Sequence, residues 1–416
     1  MMTLKYLAQV LCLLFIIPLL SACWDQTSID QRAYVVALGI GKSENENQIQ
    51  VTFLITNPEL SKKEATTNEP SQEIISFAAN DVIVARNIAN SVIAKEISYN
   101  LLSAIVVSEE FAKEDRFLRY MYDLAKEPQI KRNIPIIVTK EKARGFLENN
   151  RPLLESRIHK YFDLILNSAN EAGLIPKSDL NSYFRITEAD ADLFLATYGT
   201  SEISQDGKDS VEDNFIAGKM DIQGETNQVQ LMGSAVFKEG IMIGTLTGEE
   251  TRIAILLNDI LNNMGPIYTT YQDPFNEKYK VTARIQTEKK IDVKMDLKSD
   301  QPSINVSIPI YMDIMTQHSM VDYANDSQKR ETLQRSIEEE ITNKINNLIK
   351  KTQEEYKGEP FGWSVLARKQ FTTITEYENF DWMKSYPDIK INISVNVSFG
   401  NFGEQSILPD FEEVRD

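Results

Sequence analysis

Cysteine and histidine are nearly missing from this chain. Among 416 residues there are two cysteines, Cys12 and Cys23, and two histidines, His159 and His318. So few thiols exclude a disulfide framework and a cysteine-built metal centre. A hydrolase with a nucleophile and its base would have to enlist one of two histidines that lie far apart, His159 on an expected helical segment and His318 at a strand end. No Gly-x-Ser-x-Gly elbow occurs, nor a Gly-x-x-x-x-Gly-Lys-Ser/Thr loop, a Gly-x-Gly-x-x-Gly turn or a His-Glu-x-x-His pair. Excess positive charge is missing too. With 44 basic and 61 acidic residues the net charge is −17, which opposes binding to nucleic acid or to an anionic membrane surface. The acidic pair Glu249-Glu250 does not single out a glycosidase, since any of so many carboxylates can meet another in space. The expectation is a chain without catalytic residues, metal or cofactor.

Long apolar runs are also scarce, and the one that exists is at the start. Tyr6–Leu20 is apolar except for Gln9 and Pro18. That is shorter than the roughly 20 residues a membrane-spanning helix needs, and it has the form of a secretory h-region. Leu20-Ser21-Ala22-Cys23 follows, small residues and then the one cysteine outside the leader. This reads as a lipobox: residues 1–22 are a signal peptide, and Cys23 is the lipid-bearing N-terminus of the mature protein. Removing the leader takes away one charge, Lys5, and leaves −18. Two acyl chains hold such a body to the outer face of the membrane, at roughly 0.8 kcal/mol per buried CH₂.

Beyond residue 23 the pattern is α+β. Tyr34–Ile40 and Ile49–Ile55 read as an antiparallel hairpin, followed by a proline-containing polar loop at 57–72. A short strand at Glu73–Phe77 leads to a helix over Asn80–Lys95, with Asn80 as cap and Val84, Ile88 and Val92 as its apolar face. The strands Leu101–Val107 and Ile134–Thr139 then alternate with the helices Glu109–Lys126 and Lys140–Glu148, as crossover connections require. Phe162–Leu166 fits strand or helix start equally well. Ser178-Asp179 could cap one helix, and a second is expected at Thr187–Ala196. The stretch 199–213 is an acidic surface loop. Its Asp206, Asp209, Glu212 and Asp213 lack the alternate spacing of a calcium loop. A hairpin, Val229–Phe237 with Ile241–Leu246, precedes a helix from Glu249 to Asn262, and Gly265-Pro266 marks a joint. The last part reads as an antiparallel sheet of strands at Tyr279–Gln286, Lys289–Leu297, Ile304–Ile314 and Ile389–Phe399. One long helix, Ser327–Tyr356, carries a stripe of Leu333, Ile337, Ile341, Ile345 and Leu348. That stripe covers the sheet in the first reading; a coiled coil with a partner is the other. The expected architecture is three domains, each a mixed or antiparallel sheet flanked by helices, at about 23–150, 151–265 and 266–416, the last stable alone.

Several short stretches carry a resemblance. Cys23-Trp24-Asp25, then Ile29, Ala33, Val35, Gly39 and Ile40, resemble the start of the Ger(x)C family, the lipoprotein subunits of bacterial spore germinant receptors. Ser28 and Gly41 depart from its usual glutamate and aspartate. Glu127-Pro128-Gln129-Ile130-Lys131-Arg132-Asn133 is similar to the family's Asp-Pro-Glu-Ile-Arg segment. Ala235-Val236-Phe237-Lys238, then Gly244 and Glu249-Glu250-Thr251-Arg252, resemble its central hairpin and helix, and Pro360-Phe361-Gly362 lies near its expected place. The resemblance implies three α+β domains, a lipid anchor at Cys23 in the inner spore membrane, and no enzymatic activity. It also implies two larger membrane subunits as partners, one of them permease-like, and a part in nutrient-triggered germination. A solute-binding lipoprotein of a transport system is the alternative; it would show two similar lobes joined by crossing strands.

Overall fold

The computed structural model describes residues 31–56, 72–155, 157–203, 214–220, 222, 224–258, 265–286 and 290–403. The expected signal peptide, Cys23, nearly all of the 57–72 loop, the acidic residues 206–213 and the end of the 249–262 helix lie outside them.

The first sheet begins with β1 (Arg32–Lys42), β2 (Ile49–Thr56) and β3 (Gln72–Ala79), an antiparallel meander. Helix α1 (Val82–Ala89) leads to the short β4 (Glu96–Ser98) and to β5 (Ala104–Ser108), both parallel to β1 on the same edge. Then come α2 (Glu109–Ala112), α3 (Phe117–Lys126), β6 (Ile136–Thr139), α4 (Ala143–Asn149), α5 (Ile158–Glu171), α6 (Leu180–Ala189) and β7 (Phe194–Thr200). Strands β5, β6 and β7 are parallel, and β8 (Gln230–Lys238) and β9 (Ile241–Leu246) close the sheet in antiparallel fashion. Nine strands therefore form one sheet in the order β3-β2-β1-β5-β6-β7-β8-β9, with β4 beside β1. It runs without a break across residue 150, where the sequence suggested a division.

Both faces of this sheet are covered, which explains why β1 and β5 are buried at almost every position. Val35, Leu38, Ile105 and Val107 belong to a core completed by Phe111, Phe117, Met121 and Tyr183. The alternate residues Val36, Ala37, Ala104 and Val106 pack with Phe146, Leu147, Ile158 and Phe162 on the other side.

After α7 (Gly248–Leu257) the second sheet is built from β10 (Ile267–Gln272), β11 (Lys280–Gln286), β12 (Asp292–Asp296) and the long β13 (Ser303–Gln317). Helix α8 (Ser327–Lys351) continues as a wider π turn over Thr352–Tyr356, and α9 (Trp363–Arg368), α10 (Ile374–Phe380) and α11 (Trp382–Ser385) lead to β14 (Lys390–Phe402). Strand β13 is central: β11 and β12 pair antiparallel with different parts of it, and β14 runs parallel to it over Ser303–Ile314. The sheet is thus mixed, not purely antiparallel. A return through α8 brings β14 back in the same direction as β13, as a crossover does. The stripe on α8 is core: Leu333, Ile337 and Ile345 have no exposed surface, and Asp326 caps the helix through the N–H groups of Gln328 and Lys329.

Two local expectations differ from the fold, and one open reading is resolved. Asp81, not Asn80, caps α1, and the helix buries Val82, Ala85 and Ala89 against the sheet, so Val84, Ile88 and Val92 point outward. Two alanines let the helix approach more closely than its larger face would. Phe162–Leu166 lies inside α5. Residues 194–200 are a strand, because α6 stops at Asp190, held at φ 49°, and the apolar run beyond it fills the slot between β6 and β8.

The core beneath α8 is not confined to residues after 265. It also takes in Leu193, Val236, Leu246, Ile253 and Leu257 from the other sheet and its last helix. Expressed alone, residues 266–416 should therefore melt broadly and bind an apolar dye, because that surface loses its cover. A sharp cooperative melt by circular dichroism would show that this part closes its own core.

Candidate functional site

His159 is partly buried on α5, and His318 is exposed in the turn after β13. They belong to elements of different sheets. Among the described residues no three histidine, cysteine, aspartate or glutamate side chains converge to hold a metal ion. The two sheets also differ in topology, unlike the paired lobes of a solute-binding protein.

What the structure does bring together are the stretches 235–252 and 356–363, at the joint between the sheets. In β8, Ala235 and Phe237 face the first core while Val236 faces the second, as strand alternation requires. The β8–β9 turn uses Glu239 and Gly240, both at positive φ (51° and 82°). Gly244 is pressed against Tyr356: a Cβ there would lie 2.6 Å from the ring. That closeness lets the Tyr356 hydroxyl donate to the Thr245 carbonyl at 2.8 Å. Helix α7 opens with a capping box between Thr247 and Glu250. Glu250 also accepts from Lys351 Nζ at 2.9 Å, and Glu249 pairs with Lys344 at 2.6 Å. The two lysines lie seven residues apart on one face of α8, opposite the two consecutive glutamates. Burial draws the Lys351 ammonium down, but the Glu250 carboxylate outweighs it and the net shift is upward.

A buried acid pair locks the other side of the joint. Glu359 has no exposed surface; its carboxylate accepts the main-chain N–H of Phe361 and of Ser364, and its carbonyl accepts the N–H of Leu193 at 2.8 Å. Facing it is Asp192, whose Oδ1 is buried without a donor. Two carboxylates cannot share such a place while both are ionised. Burial, then the neighbouring carboxylate, pushes Glu359 well above the ordinary range, and burial pushes Asp192 up as well. Both Glu359 oxygens accept main-chain N–H groups, and one proton held between the two acids relieves their repulsion. Arg185 on α6 and the Tyr377 ring on α10 also face the pair. No sequence signal marks it, because the two acids are distant in the chain and their neighbours follow no catalytic pattern.

Beside the joint is a cleft of about 670 Å³, bordered by Asn133, Asp163, Asn170, Arg185, Asn258 and Lys290. Burial raises Asp163, and nearby His159 acts against that rise. The remaining stretch, 127–133, reaches that cleft through Asn133, while its first residues pack beside α1 and the end of β4. Glu127 is almost fully buried and pairs with Arg86 of α1 at 3.1 Å; Gln129 accepts the N–H of Tyr99 at 2.9 Å, just after β4.

A raised folded-state pKa means that the pair stabilises the fold fully below the ordinary carboxyl pKa of about 4 and loses that contribution as pH rises through the raised value. Thermal melts should therefore fall as pH rises above about 4. Asp192→Asn supplies a permanent N–H donor to Glu359; it should flatten that dependence and melt higher than the parent at pH 7. Unchanged pH dependence in this variant would place the titration elsewhere.

Comparison with known proteins finds matches to two successive parts of the chain. The family model described as "Spore germination protein N-terminal domain" matches residues 25–198, and "Spore germination B3/ GerAC like, C-terminal" matches residues 232–403. A putative spore germination protein, YfkR of Bacillus subtilis (strain 168), is 20% identical over 399 residues, 91% of this chain and 92% of that protein. Spore germination protein A3 of the same organism is 34% identical over 65 residues, which is 15% of this chain and only 17% of that protein. In fold, the crystal structure of the GerBC protein is similar over 88% of this chain and 97% of its own, with a TM-score of 0.52 at 14% identity. The family is one of germinant-receptor subunits and not of enzymes. The chain belongs to the GerAC-like family of spore germination proteins.

Proposed function

We propose that this chain is the lipid-anchored C subunit of a spore germinant receptor, held at the outer face of the inner spore membrane through Cys23. In this reading it works by assembly with two larger membrane subunits, one permease-like, and takes part in the response to nutrients. The observation that carries the proposal is the pair of family matches that follow one another from residue 25 to residue 403, beginning two residues after the lipobox cysteine. No helix among the described residues is long and apolar enough to cross a membrane. Short polypeptide between Cys23 and β1 would keep the body close to the bilayer. The body's negative charge suits a lipid tether better than electrostatic adsorption.

Mass spectrometry of the N-terminal peptide should find a diacylglyceryl addition on Cys23, and Cys23→Ala should shift the protein out of the membrane fraction without changing its melt. An unmodified Cys23 or a different start would sink the anchor. A subunit that acts by contact needs no general base. Substituting asparagine for His159 and His318 together should thus leave the germination response within twofold of normal, whereas loss of a general base costs at least about 10²-fold.

A further inference from the structure

We propose that the exposed face of α1 docks against the apolar outer surface of a membrane-embedded protein. This rests on the tethered-subunit reading above and adds the surface and the partner's chemistry. Ile83, Val84 and Ile88 are 41%, 40% and 42% exposed, and Val92, in the turn after the helix, is 67% exposed. Three β-branched side chains thus stand in water on one short helix, with Val92 following in the turn beyond it, while the helix's alanines take the core side. Ile83 and Val84 also border a groove of about 400 Å³ whose wall includes Arg86, Asn87, Asn90, Glu96 and Gln129, polar groups able to pair with a partner's rim.

Place in the fold indicates what covers this face. Asn90, at the end of α1, accepts the N–H of Ile97 at 3.1 Å, and Glu96 and Ile97 pair with Arg32 and Ala33 at the start of β1. The patch therefore flanks the point where the chain arrives from Cys23. Eight residues separate Cys23 from Arg32, a reach of at most about 30 Å when fully extended. An apolar face held that near the bilayer meets either lipid or a protein embedded in it.

Chemistry favours the protein. An interfacial lipid-binding helix has a lysine- and arginine-rich polar face and large anchors such as Trp or Phe. The one basic residue in α1, Arg86, is paired with Glu127, and the flanks carry Asp81 and Glu96 with a single further cation, Lys95. Valine and isoleucine, already stiff at χ1, lose little side-chain freedom on docking to a shaped protein surface. A second copy of this chain is disfavoured by its own −17 charge.

The test uses the full-length chain in its native membranes. A benzophenone-bearing residue at Ile88 should, on illumination, give a covalent adduct with an integral membrane protein identified by mass spectrometry. The same probe at Tyr268, exposed on the second sheet, should give at least tenfold less. Replacing Val84, Ile88 and Val92 together by serine should cut co-purification of that partner at least tenfold, a change of about 1.4 kcal/mol, with the melt and the membrane-bound fraction unchanged. Should the triple variant melt lower, the probe at Val92, the most exposed of the four, decides instead. Adducts with lipid only or with a second copy only, or undiminished co-purification by a normally folded variant, would overturn the docking proposal alone. A chain absent from membranes would overturn the tethered reading and the docking with it.

Discussion

One hydrophobic core built from both sheets is the constraint on which this molecule depends. Strand β8 contributes to it through Val236 while its neighbours serve the first core, and β9 and α7 add Leu246, Ile253 and Leu257. On the other side α8 buries Leu333, Ile337, Ile341, Ile345, Leu348 and Ile349. Each fully buried aliphatic side chain contributes about 1.5–3 kcal/mol relative to exposure. The ion pairs across the same joint, Glu249–Lys344 and Glu250–Lys351, keep part of their surface in water, and such pairs contribute at most ~1 kcal/mol. Apolar packing therefore holds the halves together. The lysines and glutamates fix the register of α8 against α7.

The polar groups at the joint add specificity in a different way. Gly244 leaves room for one ring, Tyr356, and the hydroxyl of that ring finds one carbonyl, Thr245. The Trp363 indole N–H reaches the Leu257 carbonyl at 3.2 Å, closing the end of α7 with a donor from the far side of the chain. Asp192 and Glu359 carry a desolvation cost that a pair of apolar residues would not. Their presence, with one proton between them, ties the Leu193 and Phe361 backbones into a single arrangement. The family-like stretches thus lie at the joint and, for residues 127–133, between its cleft and the end of α1, with a continuous nine-stranded sheet connecting them.

Much was legible in the sequence because it depends on local pattern. Strand and helix periodicity located β1, β2, β5, β8 and α8 to within a few residues, since burial on one or both faces imposes a repeat that residues a few positions apart record. The stripe on α8 read as core for the same reason. Composition alone disfavoured nucleic-acid binding and a cysteine-built metal centre, and the order of short stretches from Cys23 to Gly362 pointed to the family.

Tertiary structure alone decided which side of an element meets which neighbour. The apolar repeat of α1 was visible, but Ala85 and Ala89 won the core side because small residues permit closer packing, and the larger face was left in water. The direction of β14 followed from its return through α8, which no residue in β14 encodes. The continuity of the first sheet past residue 150 required β7 to find β6, although a helical reading of 187–196 was locally reasonable. Likewise the Asp192–Glu359 pair exists only because folding brings two ordinary acids into one dry place. Sequence determines local propensity and composition; contacts between residues far apart in the chain are set by the balance of packing and desolvation over the whole fold.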